Sequence, residues 1–498
     1  MLTFHNRPLL KRTCIAASLF VLSLGLYLSV SRPYWSGDTL PAAYLPLSIL
    51  DHGTLYLNYY PSLYNAAATK AFPHNPNGTP YYLILQNGHY VSSYSPWSAF
   101  LAVPVYAVPL LSGVHTSRTQ VLQWARITAS LITALSVVVL FFALGELVPI
   151  GWAAVIAIVY AFGTTAFSVT SQAMWEHGPS ALFLTLGLLF LVKGEKDESA
   201  LPYGGLSFSI AVMMRYTDAL IALVVALYIL HKHRRILGRY LLLSSFPAFL
   251  IFAYNHWYLG SVFQTGYFQA TPSAITQLRA TPLWQGLAGV LFSPARGLFV
   301  YSPIFLLSLL GLGWIWRNGP IFFRYLAVGM MGIIVICSKW FMWWGGYCYG
   351  PRLLADIAPL LCSLLYPLGR IMRKRVALAL SFVLLVSVSF GMNAIGAYWY
   401  NSQWDIQADV WKNPTRLWSW ENSPFAYYGH YPYWDMGQLT RDIGIHRAIN
   451  AAILRMLRPL RAVKRKQAFR SFPTSSFPPW PDSYLYAASH FDSPETSA

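Results

Sequence analysis

Apolar stretches of about 18 or more residues recur along this chain from near its start to residue 397, each long enough to cross a bilayer as a helix. In lipid a segment must satisfy its own backbone N–H and C=O groups, so such stretches read as helices. Hydrophobic residues make up 56% of the 498 and charged residues 10%, in keeping with that reading. The expected fold is all-α and polytopic.

The expected spans are 14–30, 121–147, 152–169, 178–192, 203–230, 240–254, 297–316, 320–338, 353–368 and 376–397. Residues 31–120, rich in Tyr, Pro, Asn and Ser, form a long first loop. Within it, 96–111 is apolar but carries Pro104 and Pro109, which suits either a crossing helix or one lying at the surface. Arg215 and Asp218 fall in the middle of 203–230, where a charge at the bilayer centre costs roughly 2.5 to 3.5 kcal/mol or more. A break at Arg215 removes that cost. With the break, and with 96–111 at the surface, the bundle has about eleven spans, and Glu176 and His177 face outside.

The formal charge of +18, from 35 Lys+Arg against 17 Asp+Glu, sits largely in short clusters beside apolar segments. Such clusters set topology rather than form a nucleic-acid surface. His231 to Arg235, Arg317 and Arg370 to Arg375 then share the cytoplasmic side with the N-terminal Arg7, Lys11 and Arg12. Eleven spans leave the basic C-terminal tail outside, and long tails escape the charge rule. The expected organisation is a transmembrane module over 1–397, an aromatic outer segment over 398–440, and a basic amphipathic then disordered tail over 441–498. Cys14, Cys337, Cys348 and Cys362 have neither CxxC nor metal-ligand spacing and are expected as free thiols.

Five features can carry chemistry. Asp38, in Ser36-Gly37-Asp38-Thr39 just past the first span, is an acid at a membrane boundary; it suits a general base, although spacing alone reads more simply as a helix-end cap or turn. Asp51 in the same loop reads more simply as a turn or cap. Glu176 and His177 join an acid to an imidazole between two apolar helices, fit to bind a hydroxylated substrate or a leaving phosphate, or to cap a helix. Arg296 in Ser293-Pro294-Ala295-Arg296-Gly297 and Arg352 in Gly350-Pro351-Arg352-Leu353 each open an apolar segment, where guanidiniums can hold a lipid phosphate or simply snorkel. Asp356, four residues beyond Arg352, offers it a helical ion pair. The run from Trp340 to Tyr349, with Trp344, Tyr347 and a glycine pair, suits an interfacial belt or a sugar site.

There is no Gly-rich phosphate loop, His-Glu-x-x-His or Gly-x-Ser-x-Gly, which speaks against nucleotide hydrolases, zinc proteases and α/β-hydrolases. Asn77-Gly78-Thr79 matches a glycosylation acceptor followed by proline, and decides nothing.

Taken in order, these are a basic N-terminus, one helix, an early loop Asp, Ser93-Tyr94-Ser95-Pro96, paired helices, Ser-Pro-Ala-Arg-Gly, and Trp-Trp-Gly-Gly before Gly-Pro-Arg. That order resembles the bacterial GT-C glycosyltransferases, especially families similar to dolichyl-phosphate-mannose protein mannosyltransferases and lipid A aminoarabinose transferases. It covers residues 10 to 425, ending near Arg416-Leu417-Trp418-Ser419-Trp420.

The resemblance implies a GT-C-like bundle and inverting transfer of a sugar from a polyprenyl-phosphate donor to a glycan, lipid or protein acceptor on the outer face of a bacterial inner membrane. It also implies that Asp38 acts as base or helps hold a divalent metal; Thr39 stands where the family often has a second acid, which puts metal dependence in doubt. Arg296 and Arg352, with Arg215 in reserve, would then face the phosphate. A lipid-linked sugar flippase or transporter is the competing class, and Arg215 with Asp218 fits it, although the two halves of the chain show no repeat. A scaffold protein, with Asp38 and both arginines dispensable, is a third.

Overall fold

A computed structural model of the chain describes residues 7–30, 36–69, 72–75, 78–114, 116–270 and 281–430. The described residues are overwhelmingly helical, as expected. The one sheet among them is a two-stranded antiparallel hairpin, Leu83–Gln86 with His89–Ser92. Its turn is Asn87-Gly88, both at positive φ, the pair a tight hairpin favours.

Contacts at the two ends of the bundle fix the direction of its helices. At one end Arg12 Nη2 donates to Gly145 O at 2.6 Å and pairs with Glu146 Oε1 at 3.1 Å, while Lys196 Nζ reaches Glu146 Oε2 at 2.9 Å. At the other end Arg126 Nη2 donates to Leu28 O at 3.0 Å, and Ser29 Oγ lies 2.8 Å from the Tyr398 hydroxyl. Helices Arg7–Leu28 and Arg118–Leu144 are therefore antiparallel, and Val376–Trp399 ends where Arg7–Leu28 ends.

Between these ends the described residues pass eleven times: through Arg7–Leu28, Arg118–Leu144, Ile150–Gly163, His177–Gly194, Leu201–Met214, Ala219–Lys232, Leu237–Leu259, Phe305–Asn318, Phe322–Lys339, the broken run from Arg352–Leu354 to Leu368–Met372, and Val376–Trp399. Six of the helices are by themselves long and apolar enough to cross a membrane. The others are short or interrupted.

The interruptions have local causes. Arg215 is extended (φ −147°, ψ 114°), so 203–230 becomes the hairpin Leu201–Met214 and Ala219–Lys232. That places Arg215 and Asp218 at an end of the bundle rather than at its centre. The expected single spans 297–316 and 353–368 are corrected: both are broken. In the first, Pro303 ends Leu298–Tyr301, and the freed Tyr301 carbonyl accepts from Asn393 Nδ2 at 2.9 Å while Ile304 N donates to Ser389 Oγ at 3.2 Å. In the second, Ala358–Ser363 and Leu368–Met372 are separate short helices, each just after a loop or a proline.

Helix Trp97–Leu111 does not cross. Ser95, just before it, contacts Glu176 and Met213, while Tyr106 within it lies 2.9 Å from Ala43 O and 3.1 Å from Val121 O, in the first turn of Arg118–Leu144. Both of its ends thus sit at the same end of the bundle. It packs on Leu40–His52 and, with the hairpin, forms a second apolar core around Leu45, Tyr82, Val91, Ala102 and Leu122. Burying each such large side chain contributes roughly 1.5–3 kcal/mol, so the first loop is a folded cap. All four cysteines are free. The expected tail 441–498 and Asn77 lie outside the described residues.

Candidate active site

Asp38 sits beneath that cap, in the 3-10 turn Gly37–Thr39. Ser36 N donates to Thr39 Oγ1 and Thr39 Oγ1 to Ser36 O, each at 3.0 Å, which closes the turn. Gly37 is required by space: a Cβ there would lie 2.3 Å from the Tyr81 hydroxyl. Tyr81 and Tyr94 flank the hairpin strands and donate to Asp38 Oδ1 at 2.7 and 3.0 Å. Arg352 Nη1 pairs with Asp38 Oδ2 at 2.5 Å, and the Asp38 side chain is 18% exposed. Burial alone would raise the carboxyl, but the guanidinium and both phenols more than offset it and hold Asp38 below the usual carboxylate range. Burial and the Asp38 charge raise both phenols, so they remain donors.

Arg352 follows Gly350, which has φ +63°, and Pro351. Its Nη2 donates to Gly345 O at 2.6 Å, and its guanidinium carbon lies 4.2 Å from the centre of the Trp175 ring. The helical pair expected between Arg352 and Asp356 does not form, because the chain there is a short 3-10 turn that points Arg352 toward Asp38. Asp356, fully buried, instead pairs with Arg215, whose Nη1 also donates to Leu353 O at 3.1 Å. His177 Nδ1 lies 4.0 Å from Asp356 Oδ1, and Ser180 donates to Asp218. Glu176 Oε1 accepts from Ser95 N at 2.8 Å, and Ser95 Oγ donates to Met213 O at 2.5 Å. Burial pushes Glu176 up to about 7.

Arg296 is brought near this group without reaching Asp38. It is 1% exposed, forms an ion pair with the buried Asp405, and donates to Ala295 O (2.9 Å), Trp344 O (3.0 Å) and Gly346 O (3.2 Å). Asp405 also accepts from Tyr400 OH at 2.6 Å, and burial raises its carboxyl. The two arginines therefore hold three successive carbonyls, those of Trp344, Gly345 and Gly346. Gly345 and Gly346 lie at φ +76° and +66°, where a side chain would be strained. Trp344 meets Trp343 and Trp411 edge to face, and its indole N–H is buried without an acceptor. Tyr347 is half-buried in the same loop.

The structure thus gathers Asp38, Arg352, Glu176, His177 and Arg215 at one end of the bundle, with Trp344 and Tyr347 on the adjoining loop. Tyr81, Tyr94, Trp175 and Asp405 were not singled out from the sequence, and Asp356 was read only as a helical partner of Arg352. Tyr94 stands inside Ser93-Tyr94-Ser95-Pro96 and Trp175 directly precedes Glu176, whereas Tyr81 and Asp405 carry no distinguishing spacing. The donor set does not suit a metal: both Asp38 oxygens are engaged by protein donors, Thr39 is used in its own turn, and among the described residues no group of three His, Cys, Asp or Glu is placed to hold an ion.

The fold and site define a polytopic α-helical membrane protein with a buried acid–arginine centre at one end of its bundle. Residues 103–258 match the family model of dolichyl-phosphate-mannose-protein mannosyltransferases. That match, over less than half of the chain, bears out the resemblance to GT-C glycosyltransferases. The matched stretch contains Glu176, His177 and Arg215 but ends before Arg296 and begins after Asp38. No curated protein matches the chain.

Proposed function

We propose that this protein transfers a sugar from a polyprenyl-phosphate donor to an acceptor hydroxyl at the non-cytoplasmic face of its membrane, with inversion at the anomeric carbon. The observation that carries the reading is the meeting of Asp38 with Arg352 at 2.5 Å beneath a folded cap, in a chain with a mannosyltransferase-family stretch. Topology supports the side: Arg12 and Lys196 lie at the end of the bundle opposite Asp38, as do the loops carrying Arg234, Arg235 and Arg370 to Arg375, and basic loops mark the cytoplasm. A bacterial inner membrane is the setting the resemblance suggests.

In this mechanism Asp38 takes the proton of the acceptor hydroxyl, whose oxygen bonds to the anomeric carbon as the carbon–oxygen bond to phosphate breaks and its electron pair leaves with the phosphate. Arg352 turns part of its fork from Asp38 to the phosphate, where charge grows, with Arg215 behind it. Arg296 has its donors committed to protein acceptors, so its role is to shape the glycine pair. The unpaired Trp344 N–H and Tyr347 face the sugar, and His177 helps hold the hairpin carrying Arg215.

Reconstitution of the full chain with a panel of radiolabelled polyprenyl-phosphate sugars tests this. A transferase forms glycosylated product, whereas a flippase only moves the lipid and a scaffold does neither. Lipid movement without product across the whole panel would reject the reading.

A further inference from the structure

Four carboxylates, Asp38, Glu176, Asp218 and Asp356, and two guanidiniums, Arg215 and Arg352, meet at this end of the bundle. Arg352 is taken by Asp38 and Arg215 by Asp356. Asp218 accepts from Ser180, and burial with the neighbouring Asp356 charge keeps it protonated, so it has no further proton to take up. Glu176 is the acid that remains: its Oε1 accepts the Ser95 N–H, and it forms no ion pair among the described residues. It is nonetheless tied to both sides of the centre. Ser95 adjoins Tyr94, which donates to Asp38, and Trp175, next to Glu176, lies under Arg352.

We infer that Glu176 is the proton-linked element of the donor site, taking up one proton when the lipid phosphodiester binds beside Arg352 and Arg215. This deepens the functional reading above and rests on it.

The argument is one of charge balance. A phosphodiester adds a negative charge to a pocket whose cations are already matched, and a buried, unbalanced anion is costly. Of the groups facing Glu176, Arg352 and Arg215 stay charged. Tyr94, Tyr216 and Tyr267 are phenols raised by burial and remain neutral. Asp38 is held in its ionised form by three donors, and His177, the next residue, faces Asp356. Glu176, with a free-state value of about 7 set first by burial, is the acid whose neutralisation is cheapest.

The sign follows. Binding an anion raises the Glu176 value further, so above about 7 donor binding consumes a proton, and affinity falls as pH rises. One proton gives up to about a tenfold loss per pH unit, flattening below the free-state value.

The test uses the full chain in nanodiscs and a polyprenyl methyl phosphodiester, which carries one constant charge and no transferable sugar, with polyprenol as the uncharged control. Binding is measured from about pH 6 to about pH 9 in wild type and Glu176→Gln, whose amide oxygen still accepts from Ser95. Wild type should show the slope, and Glu176→Gln should bind at every pH as wild type does at the acid limit. Calorimetry of wild type at about pH 8 in two buffers of different ionisation enthalpy should show uptake of close to one proton, and needs no variant. A flat wild-type profile, no proton uptake, or an unchanged slope in Glu176→Gln would overturn the inference. Wild type binding the phosphodiester no better than polyprenol would instead reject the phosphate-donor reading itself.

Discussion

Arg352 and Asp38, 314 residues apart in the chain, meet at 2.5 Å, with each partner held from behind: Asp38 by two phenols and Arg352 by Gly345 O and the face of Trp175. Asp38→Asn keeps the size of the side chain and removes the proton acceptor. Transfer by reconstituted protein should fall by roughly 10²–10⁴, the usual worth of a positioned base, at unchanged membrane level. Near-normal transfer by this variant would remove Asp38 from the role of base.

Arg352→Lys keeps the charge but loses the planar fork whose two terminal nitrogens reach Asp38 and Gly345 O separately. Donor KM should rise by more than acceptor KM in steady-state assays of the two substrates. Equal effects on both would place Arg352 away from the phosphate.

Arg296 and Asp405 are a buried pair, and removing one partner strands the other charge at a cost of roughly 3–5 kcal/mol. Arg296→Ala and Asp405→Ala should each lower the thermal midpoint in detergent, and the double variant should lose less than the sum of the two. Strict additivity would mean that the two residues do not act as a pair.

At Gly37 the constraint is steric, since a Cβ would meet the Tyr81 hydroxyl at 2.3 Å and Asp38 would lose one of its donors. Gly37→Ala should reduce transfer markedly while Gly313→Ala, in open space on an apolar helix, leaves it intact. Full activity in Gly37→Ala would show that Tyr81 is dispensable.

The raised Glu176 carboxyl also sets a pH trend in stability. Between its ordinary value of 4.5 and about 7 the folded chain keeps a proton that the unfolded chain has released. Stability from this group is therefore lost as pH rises through that window, and level above it. Glu176→Gln should raise the thermal midpoint relative to wild type at neutral pH by more than at acid pH; a difference independent of pH would count against a raised value.

The sequence by itself determined what local chemistry can determine. Runs of apolar residues demanded helices in lipid, the paired charges Arg215 and Asp218 demanded a break, and two prolines made 96–111 ambiguous between crossing and lying flat. Those signals have the range of a helical turn or a span, and the structure bears out the first two and settles the third at the surface. Partner choice was beyond them. The i, i+4 spacing joined Arg352 to Asp356, yet packing gave Arg352 to Asp38 and Asp356 to Arg215, and it gave Arg296 to Asp405 across 109 residues. Apolar spans say how often the chain crosses, not which end-loops face each other. Which buried charge neutralises which is fixed only once the helices pack and every guanidinium must find an acceptor out of water.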